Sequence, residues 1–494
     1  MNARAALFAG AAGLLALAPV IPASAETLEE ALIKAYNSNP SLQGARANQR
    51  ATDETVPIEK AAGRPDLRAD ATHIEFVKTS PNSFTAPRRT LQIGSDLTVP
   101  IYSGGAVRNA VRSAEVRVEA GQADLRATES AIFSQVVAAY MDVIRGEALV
   151  ALSRNQVEVL GVNLQASRDR FEIGDLTRTD IAQSQSRLAV AQGDLQTAEA
   201  NLIGARETYI QLVGNAPGIL EAPPPLPNLP ESASSAVATA LESNPDLIAA
   251  RERAEAAGID IDVAGASRLP TVGLFAGANY SNFFGTLGGP TANNFSQSET
   301  TANAGIQISI PIFQGGRPAA LQRQAQALAS ASFENVIAAE RSVIAQTRAA
   351  FSSWTAANAI IESSQVAVSA AELSLEGVRA ENTVGNRTVL DILDAERELL
   401  STRTDLVTAR RNAYVAGFNL LAAMGLAEAR DLGLGDGTPL YDPQTNYERV
   451  EGAWWDWQRD PDPVPVSTRT IDTPAQNAAI PASDVVNGES PASN

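Results

Sequence analysis

Residues 91–99 alternate in polarity: Leu91, Ile93, Leu97 and Val99 against Gln92, Gly94, Asp96 and Thr98. A period of two places the two sets on opposite faces of a strand. The pattern recurs with Ile306, Ile308, Ile310 and Ile312 against Gln307, Ser309 and Pro311, and again in the row Val272, Leu274, Ala276, Ala278 and Tyr280. A further strand from Asp66 to Val77 is expected, with weaker alternation. Between these runs, Ser80–Arg89 and Asn282–Thr300 have the Pro, Asn, Ser and Gly content of surface loops and carry Phe84, Phe283 and Phe284.

The period then changes. From Gly105 to about Ile173, and from Arg317 to about Val384, the chain is crowded with Ala, Gln, Glu, Arg, Leu and Val and has almost no proline. These are helix formers, and at 1.5 Å per residue each helix would extend on the order of 100 Å. Ile132, Val136, Ala139, Val143, Leu149 and Leu152 recur at spacings of three and four. Such a narrow stripe on so long a helix predicts packing against another helix. Turns at Gly174 and Gly385 send return helices back as far as Gly214 and Gly425.

The chain also copies itself. Ser38-Asn39-Pro40 and Arg64-Pro65 are echoed by Ser243-Asn244-Pro245 and Leu269-Pro270 at an offset of 245 − 40 = 205. Beyond the first hairpin the offset is 385 − 174 = 211, pairing Pro100 with Pro311, Gly104-Gly105 with Gly315-Gly316, Gly174 with Gly385 and Asp180 with Asp391. A fixed offset over this length implies duplicated structure. The organisation expected is a first repeat over residues 26–220, a Pro-rich linker over 221–235, a second repeat over 236–430 and a polar tail over 431–494. Each repeat reads as helix, β-hairpin and two long helices. The last thirty or so residues are expected to be disordered. Ahead of them Trp454, Trp455 and Trp457 lie near Tyr441 and Tyr447. They are expected to pack the tail onto the helical body; a partner-binding patch is the alternative.

Met1–Ala25 has the form of a signal peptide: Arg4, an apolar stretch from Ala5 to about Leu17, and Ala23-Ser24-Ala25 as the cleavage site. No later segment is apolar enough to cross a bilayer as a helix. The 494 residues contain no cysteine, which excludes disulfides, thiolate metal sites and a lipidated N-terminal cysteine. The net charge of −18 disfavours nucleic acid as a partner. Four amphipathic strands cannot close a barrel, and an open edge in lipid strands its backbone groups at several kcal/mol each. Membrane strands would therefore need other copies of the chain; a soluble sheet fits the same strand pattern.

The signal peptide, the duplicated halves and the turn sequences Gly174-Asp175-Leu176-Thr177-Arg178-Thr179-Asp180 and Gly385-Asn386-Arg387-Thr388-Val389-Leu390-Asp391-Ile392-Leu393-Asp394-Ala395-Glu396 resemble the TolC family of bacterial export proteins. The resemblance extends to about residue 430. It implies a mixed α/β membrane protein: a homotrimer whose twelve strands form one barrel in lipid of the outer membrane, continued into the periplasm by an α-helical coiled-coil barrel. It implies a passive exit duct for small molecules or secreted proteins, without cofactor, working with a periplasmic adaptor (membrane fusion) protein and an inner-membrane pump or ABC transporter. Residues 440–450 look like the corresponding segment of members associated with type I secretion, which favours protein cargo.

By the same resemblance Asp391 and Asp394 line the channel aperture, Asp180 and Arg387 form a gate latch, and Gly174 and Gly385 make the turns that narrow the tunnel. The family's gate has a Tyr where Asn382 stands, a departure affecting the detail of the latch. His73 is the single histidine, which excludes a His dyad or a His-based metal site within one chain, and no G-x-x-x-x-G-K-[ST] loop is present. An enzyme is not expected. The alternative is a periplasmic coiled-coil adaptor or scaffold, which need not have the two alternating hairpins.

Overall fold

A computed structural model describes residues 25–78, 86–435 and 439–480. The signal peptide expected over Met1–Ala25, the loop residue Phe84 and the end of the tail from residue 481 therefore lie largely or wholly outside the described residues. The chain begins with helices α1 (Leu28–Ser38), α2 (Pro40–Asp53) and α3 (Thr55–Ala61), then strands β1 (Asp66–Glu75) and β2 (Arg89–Tyr102). The long helix α4 (Ala106–Glu172) and its return α5 (Arg178–Val213) follow. After an irregular segment come α6 (Ala233–Ser243), α7 (Pro245–Ala266), β3 (Thr271–Asn282) and β4 (Ser298–Ser309). Helices α8 (Arg317–Thr383), α9 (Val389–Met424) and the short α10 (Pro443–Val450) complete the order.

Helices α4 and α8 are each 67 residues long, and α5 and α9 are each 36. Their ends repeat one chemistry. Gly105 and Gly316 precede the long helices at φ 85° and 81°, and Gly214 and Gly425 end the returns at φ 89° and 77°, angles that glycine adopts without a Cβ clash. The Asn-Pro pairs are built alike as well. Asn39 accepts from the N–H groups of Ser41 and Leu42 while its amide donates to Leu212 O at 3.0 Å. Asn244 accepts from Asp246 and Leu247 and donates to Ala423 O at 3.0 Å. Each thus caps its own helix and pins it to the end of a return helix.

The C-terminal half of α4 pairs with α5 and its N-terminal half with α7, to which it is tied by Ser113 Oγ on Ala256 O at 3.2 Å and by the Arg253–Asp124 ion pair. The main core lies midway along the body, where Phe133, Val136, Val137 and Tyr140 of α4 pack with Leu202 and Tyr209 of α5 and Phe418 and Leu421 of α9.

The four strands form one antiparallel sheet in the order β1-β2-β3-β4. Its register joins Leu67 to Leu97, Ala71 to Ile93, Ile93 to Tyr280, Leu97 to Ala276, Val99 to Leu274, and Leu274 to Ile306. Directly opposed residues share a face, so these side chains make one continuous apolar face. Asp66, Arg68, Asp70, Gln92, Asp96, Asn279, Asn303 and Gln307 share the other. On this polar face Phe275 covers Gly305, where a Cβ would stand only 2.9 Å from the ring. The apolar face is exposed at Leu67, Ile93, Leu274, Ile306 and Ile308. Among the described residues the outer edges of β1 and β4 have no strand partner. His73 lies in β1, edge-to-face with Phe284 at 5.8 Å.

Three expectations change. Strand β4 ends at Ser309 rather than continuing through Ile312, because Pro311 has no N–H to donate to a ladder; Pro100, its counterpart, falls at a register shift inside β2. The tail up to Ile480 is placed rather than disordered: Arg206 donates to Asn477 O at 2.5 Å and Ala479 O at 3.1 Å, and Ala478 and Ile480 lie against the core. The aromatic cluster divides: Tyr441 and Tyr447 pack the tail onto the body, whereas Trp454, Trp455 and Trp457 are all exposed.

Candidate functional site

The two helix turns are chemically parallel. Gly174 and Gly385 take φ 86° and 81°, with Asp175 N donating to Arg170 O at 2.9 Å and Asn386 N to Glu381 O at 3.0 Å, the backbone closure of a left-handed helix end. Each return helix then starts with a capping box. Thr177 Oγ1 accepts from Asp180 N at 3.3 Å and Asp180 Oδ2 accepts from Thr177 N at 2.8 Å; Thr388 and Asp391 repeat both bonds at the same distances. The threonine hydroxyl also donates to the carboxylate at 2.7 Å in both turns. These hydroxyl and N–H bonds hold the Asp180 and Asp391 carboxyls below the usual carboxylate range.

Asp391 is therefore first a cap residue. Its second oxygen lies 3.9 Å from Arg387. Arg387 turns mainly to Glu381, whose oxygen its Nε meets at 2.7 Å, and this bond raises the guanidinium pKa. Asn382 Nδ2 donates to Arg387 O at 2.8 Å, bracing the second turn from inside. The pair expected as a latch is not joined within one chain: Asp180 serves Thr177 and Arg387 serves Glu381.

Asp394 lies one turn beyond Asp391 on α9 and takes a 2.6 Å bond from Arg187 of α5. That contact crosses from one hairpin to the other. Two residues further on, Glu396 is buried, and its two carboxylate oxygens both receive Asn163 Nδ2 of α4 at 3.0 Å. Arg379 of α8 completes the group at 3.1 Å. Around it Leu393 packs with Leu160 and Ala191, and Leu399 with Ala371 and Leu375. Above these contacts Arg411 of α9 holds Asp142 of α4 with two bonds, 3.1 and 2.8 Å.

Arg187, Asn163, Glu396 and Arg379 were not picked out from sequence. Glu396 stands within the turn motif, but its partners come from elements 233 and 17 residues away, a placement that periodicity does not reveal. Among the described residues no helix is long and apolar enough to cross a membrane, and no cluster of His, Asp and Glu is arranged to hold a metal ion.

Comparison with known proteins agrees with this architecture. The family model for outer membrane efflux proteins matches residues 31–215 and 236–426. The outer membrane efflux protein BepC of Brucella suis is 34% identical over 433 residues, covering 88% of this chain and 92% of BepC. The outer membrane protein TolC of Vibrio cholerae is 26% identical, covering 83% and 92%. Among solved structures, the outer membrane protein VceC of Vibrio cholerae superposes with a TM-score of 0.68 at 23% identity, over 81% of this chain and 96% of VceC.

Proposed function

This chain belongs to the outer membrane efflux protein family, an outer-membrane family of channel proteins, and from that premise we propose that it is the exit duct of a tripartite export system. In this reading it passively carries small molecules or secreted proteins from an inner-membrane pump or ABC transporter, through a periplasmic adaptor, to the outside. The observation that carries it is the sheet: four strands with one predominantly apolar, exposed face, an opposite face bearing Asp66, Arg68, Asp70 and Asp96, and, among the described residues, two unpaired edges. At about 4.8 Å per strand, one chain supplies an arc of roughly 20 Å. Three copies related by rotation close a barrel of twelve strands with no free edge, lipid outside and charged side chains within. The two matched halves, residues 26–220 and 236–430 about the linker 221–235, then each add a helical hairpin to the periplasmic tunnel.

At the far end the turns meet around the axis, and Asp391 and Asp394 of three chains form the aperture. Asp391 keeps one oxygen outside its capping box, which is the charge left to attract cations. In this reading the latch of Asp180 and Arg387 joins neighbouring chains, each residue having another partner, Thr177 and Glu381, within its own chain. A periplasmic adaptor or scaffold is disfavoured by the exposed apolar sheet face, which would stand in water.

Single-channel conductance in a planar bilayer tests the assignment, comparing wild type with Asp391→Asn plus Asp394→Asn. Asparagine retains the oxygen that caps Thr388, so charge is removed without unravelling α9. A stable cation-selective conductance that loses selectivity and block by multivalent cations in the double variant is expected. Failure to insert would refute the duct; insertion with unchanged selectivity would place the constriction elsewhere.

A further inference from the structure

Trp454, Trp455 and Trp457 are 61%, 67% and 84% exposed, in a protein with only four tryptophans. Their backbone is nonetheless firmly placed. Lys60 donates to Glu451 O at 3.3 Å, Arg64 donates to Ala453 O, and the Arg64 guanidinium carbon sits 5.2 Å from the Trp454 ring centroid. Arg449 grips Asp460 with two bonds of 2.8 and 2.9 Å, closing the segment into a loop. The loop is thus fixed while its large rings project outward. Its position gives the reason. Arg64 precedes the first residue of β1 by two positions, so its backbone stands within roughly 7 Å of the helix-side rim of the sheet and its side chain reaches from there to the loop. The apolar face begins at this same rim, with Leu67 and Tyr102 exposed on it and Ile312 and Phe313 exposed just beyond β4.

We propose that the Trp454–Trp457 loop is a membrane-interface anchor that seats in the headgroup layer of the periplasmic leaflet beside the base of the barrel. A tryptophan ring has an apolar body and one N–H donor, a match for the boundary between acyl chains and headgroups, and girdles of aromatic residues mark this depth on membrane barrels. Asp456 stands between the rings, and Arg459, Asp460 and Asp462 follow them directly, a mixture suited to zwitterionic headgroups and not to a dry protein contact. The loop is tied to Arg64 at the rim where the exposed apolar face of the sheet ends, so lipid is the occupant chosen over a neighbouring chain. The inference rests on the sheet being a membrane barrel, and its test separates the two.

The full-length protein carrying Trp354→Phe reports only the three loop tryptophans; Trp354 itself packs against Phe351 in the body, and Trp354→Tyr serves if the Phe variant fails to assemble. It is reconstituted into phosphatidylethanolamine–phosphatidylglycerol vesicles made with ordinary or acyl-brominated lipid. A second protein replaces all four tryptophans by Phe and adds Tyr280→Trp on the apolar face as a barrel reporter. Loss of loop emission in brominated lipid, together with loss of Tyr280→Trp emission, is the expected result. Loop emission unchanged while Tyr280→Trp is quenched overturns the anchor, assigns the loop to water or to a neighbouring chain, and leaves the barrel standing. Neither reporter quenched overturns both.

Discussion

Glu396 gives a way to weigh what holds the two hairpins together near the turns. Its carboxylate takes Asn163 Nδ2 from α4, in the first hairpin, and Arg379 from α8, in its own. A hydrogen bond to a buried charge contributes about 1.5–3 kcal/mol, and Glu396 is only 4% exposed, so we assign about 2 kcal/mol to the Asn163 contact. The Arg379 side chain is 52% exposed, and solvent screening holds that ion pair to about 1 kcal/mol or less. If opening the aperture separates the hairpins, of the two Glu396 contacts only that with Asn163 breaks on opening. Asn163→Ala should then shift the closed-to-open equilibrium about 30-fold toward open. Arg379→Ala should weaken the second hairpin without favouring either state. Single-channel open probability in a planar bilayer measures this, and a double-mutant cycle of Asn163→Ala with Glu396→Ala isolates the coupling. A silent Asn163→Ala beside an opened Arg379→Ala would refute the reasoning, since the gate would then depend on packing inside one hairpin.

Three further outcomes follow from the described contacts. Thr177→Ala and Thr388→Ala each remove a capping box and should cost about 1 kcal/mol, seen as faster hydrogen exchange confined to the first turns of α5 and α9. Gly425→Ala puts a Cβ 2.4 Å from Ser243 O at φ 77° and should abolish folded protein, whereas Gly204→Ala, in the interior of α5 with open space around it, should raise the melting temperature. Glu129 is raised to about 7, chiefly by burial, with the Ala429 N–H bond and Arg46 opposing and Glu428 and Asp431 adding. The folded state holds this proton more tightly than the unfolded chain. Stability should therefore fall by at most about 3 kcal/mol as pH rises from the ordinary carboxylate value to about 7; Glu129→Gln should flatten that part of a denaturation-versus-pH curve, and an unchanged curve would count against the assignment.

How far the fold was legible depends on how local its causes are. The long helices were expected at Gly105–Ile173 and Arg317–Val384 and run Ala106–Glu172 and Arg317–Thr383. Glycines with positive φ stand before and after them, and nothing between interrupts helical bonding, so nearest-neighbour chemistry sets both ends. Strand β1 was faint because its outward set is Leu67, Ala69, Ala71 and His73, too weakly apolar to alternate clearly. Only the register, which aligns those residues with Leu97, Ser95, Ile93 and Leu91, supplies the missing hydrophobicity from the neighbouring strand. The turn acids show the opposite limit. Asp391 and Asp394 were found by motif, yet within the chain one is a helix cap and the other a partner of Arg187, 207 residues away. A cap is written in four consecutive residues and its chemistry follows from them. An ion pair across hairpins depends on where two helices of 36 residues cross, which depends in turn on the summed packing of both coils. The same reasoning applies to the tryptophans: their composition suggests burial, but their loop is tethered by Lys60 and Arg64 beside the rim of the sheet, where, on the proposed barrel, an exposed apolar ring would have a medium other than water to meet.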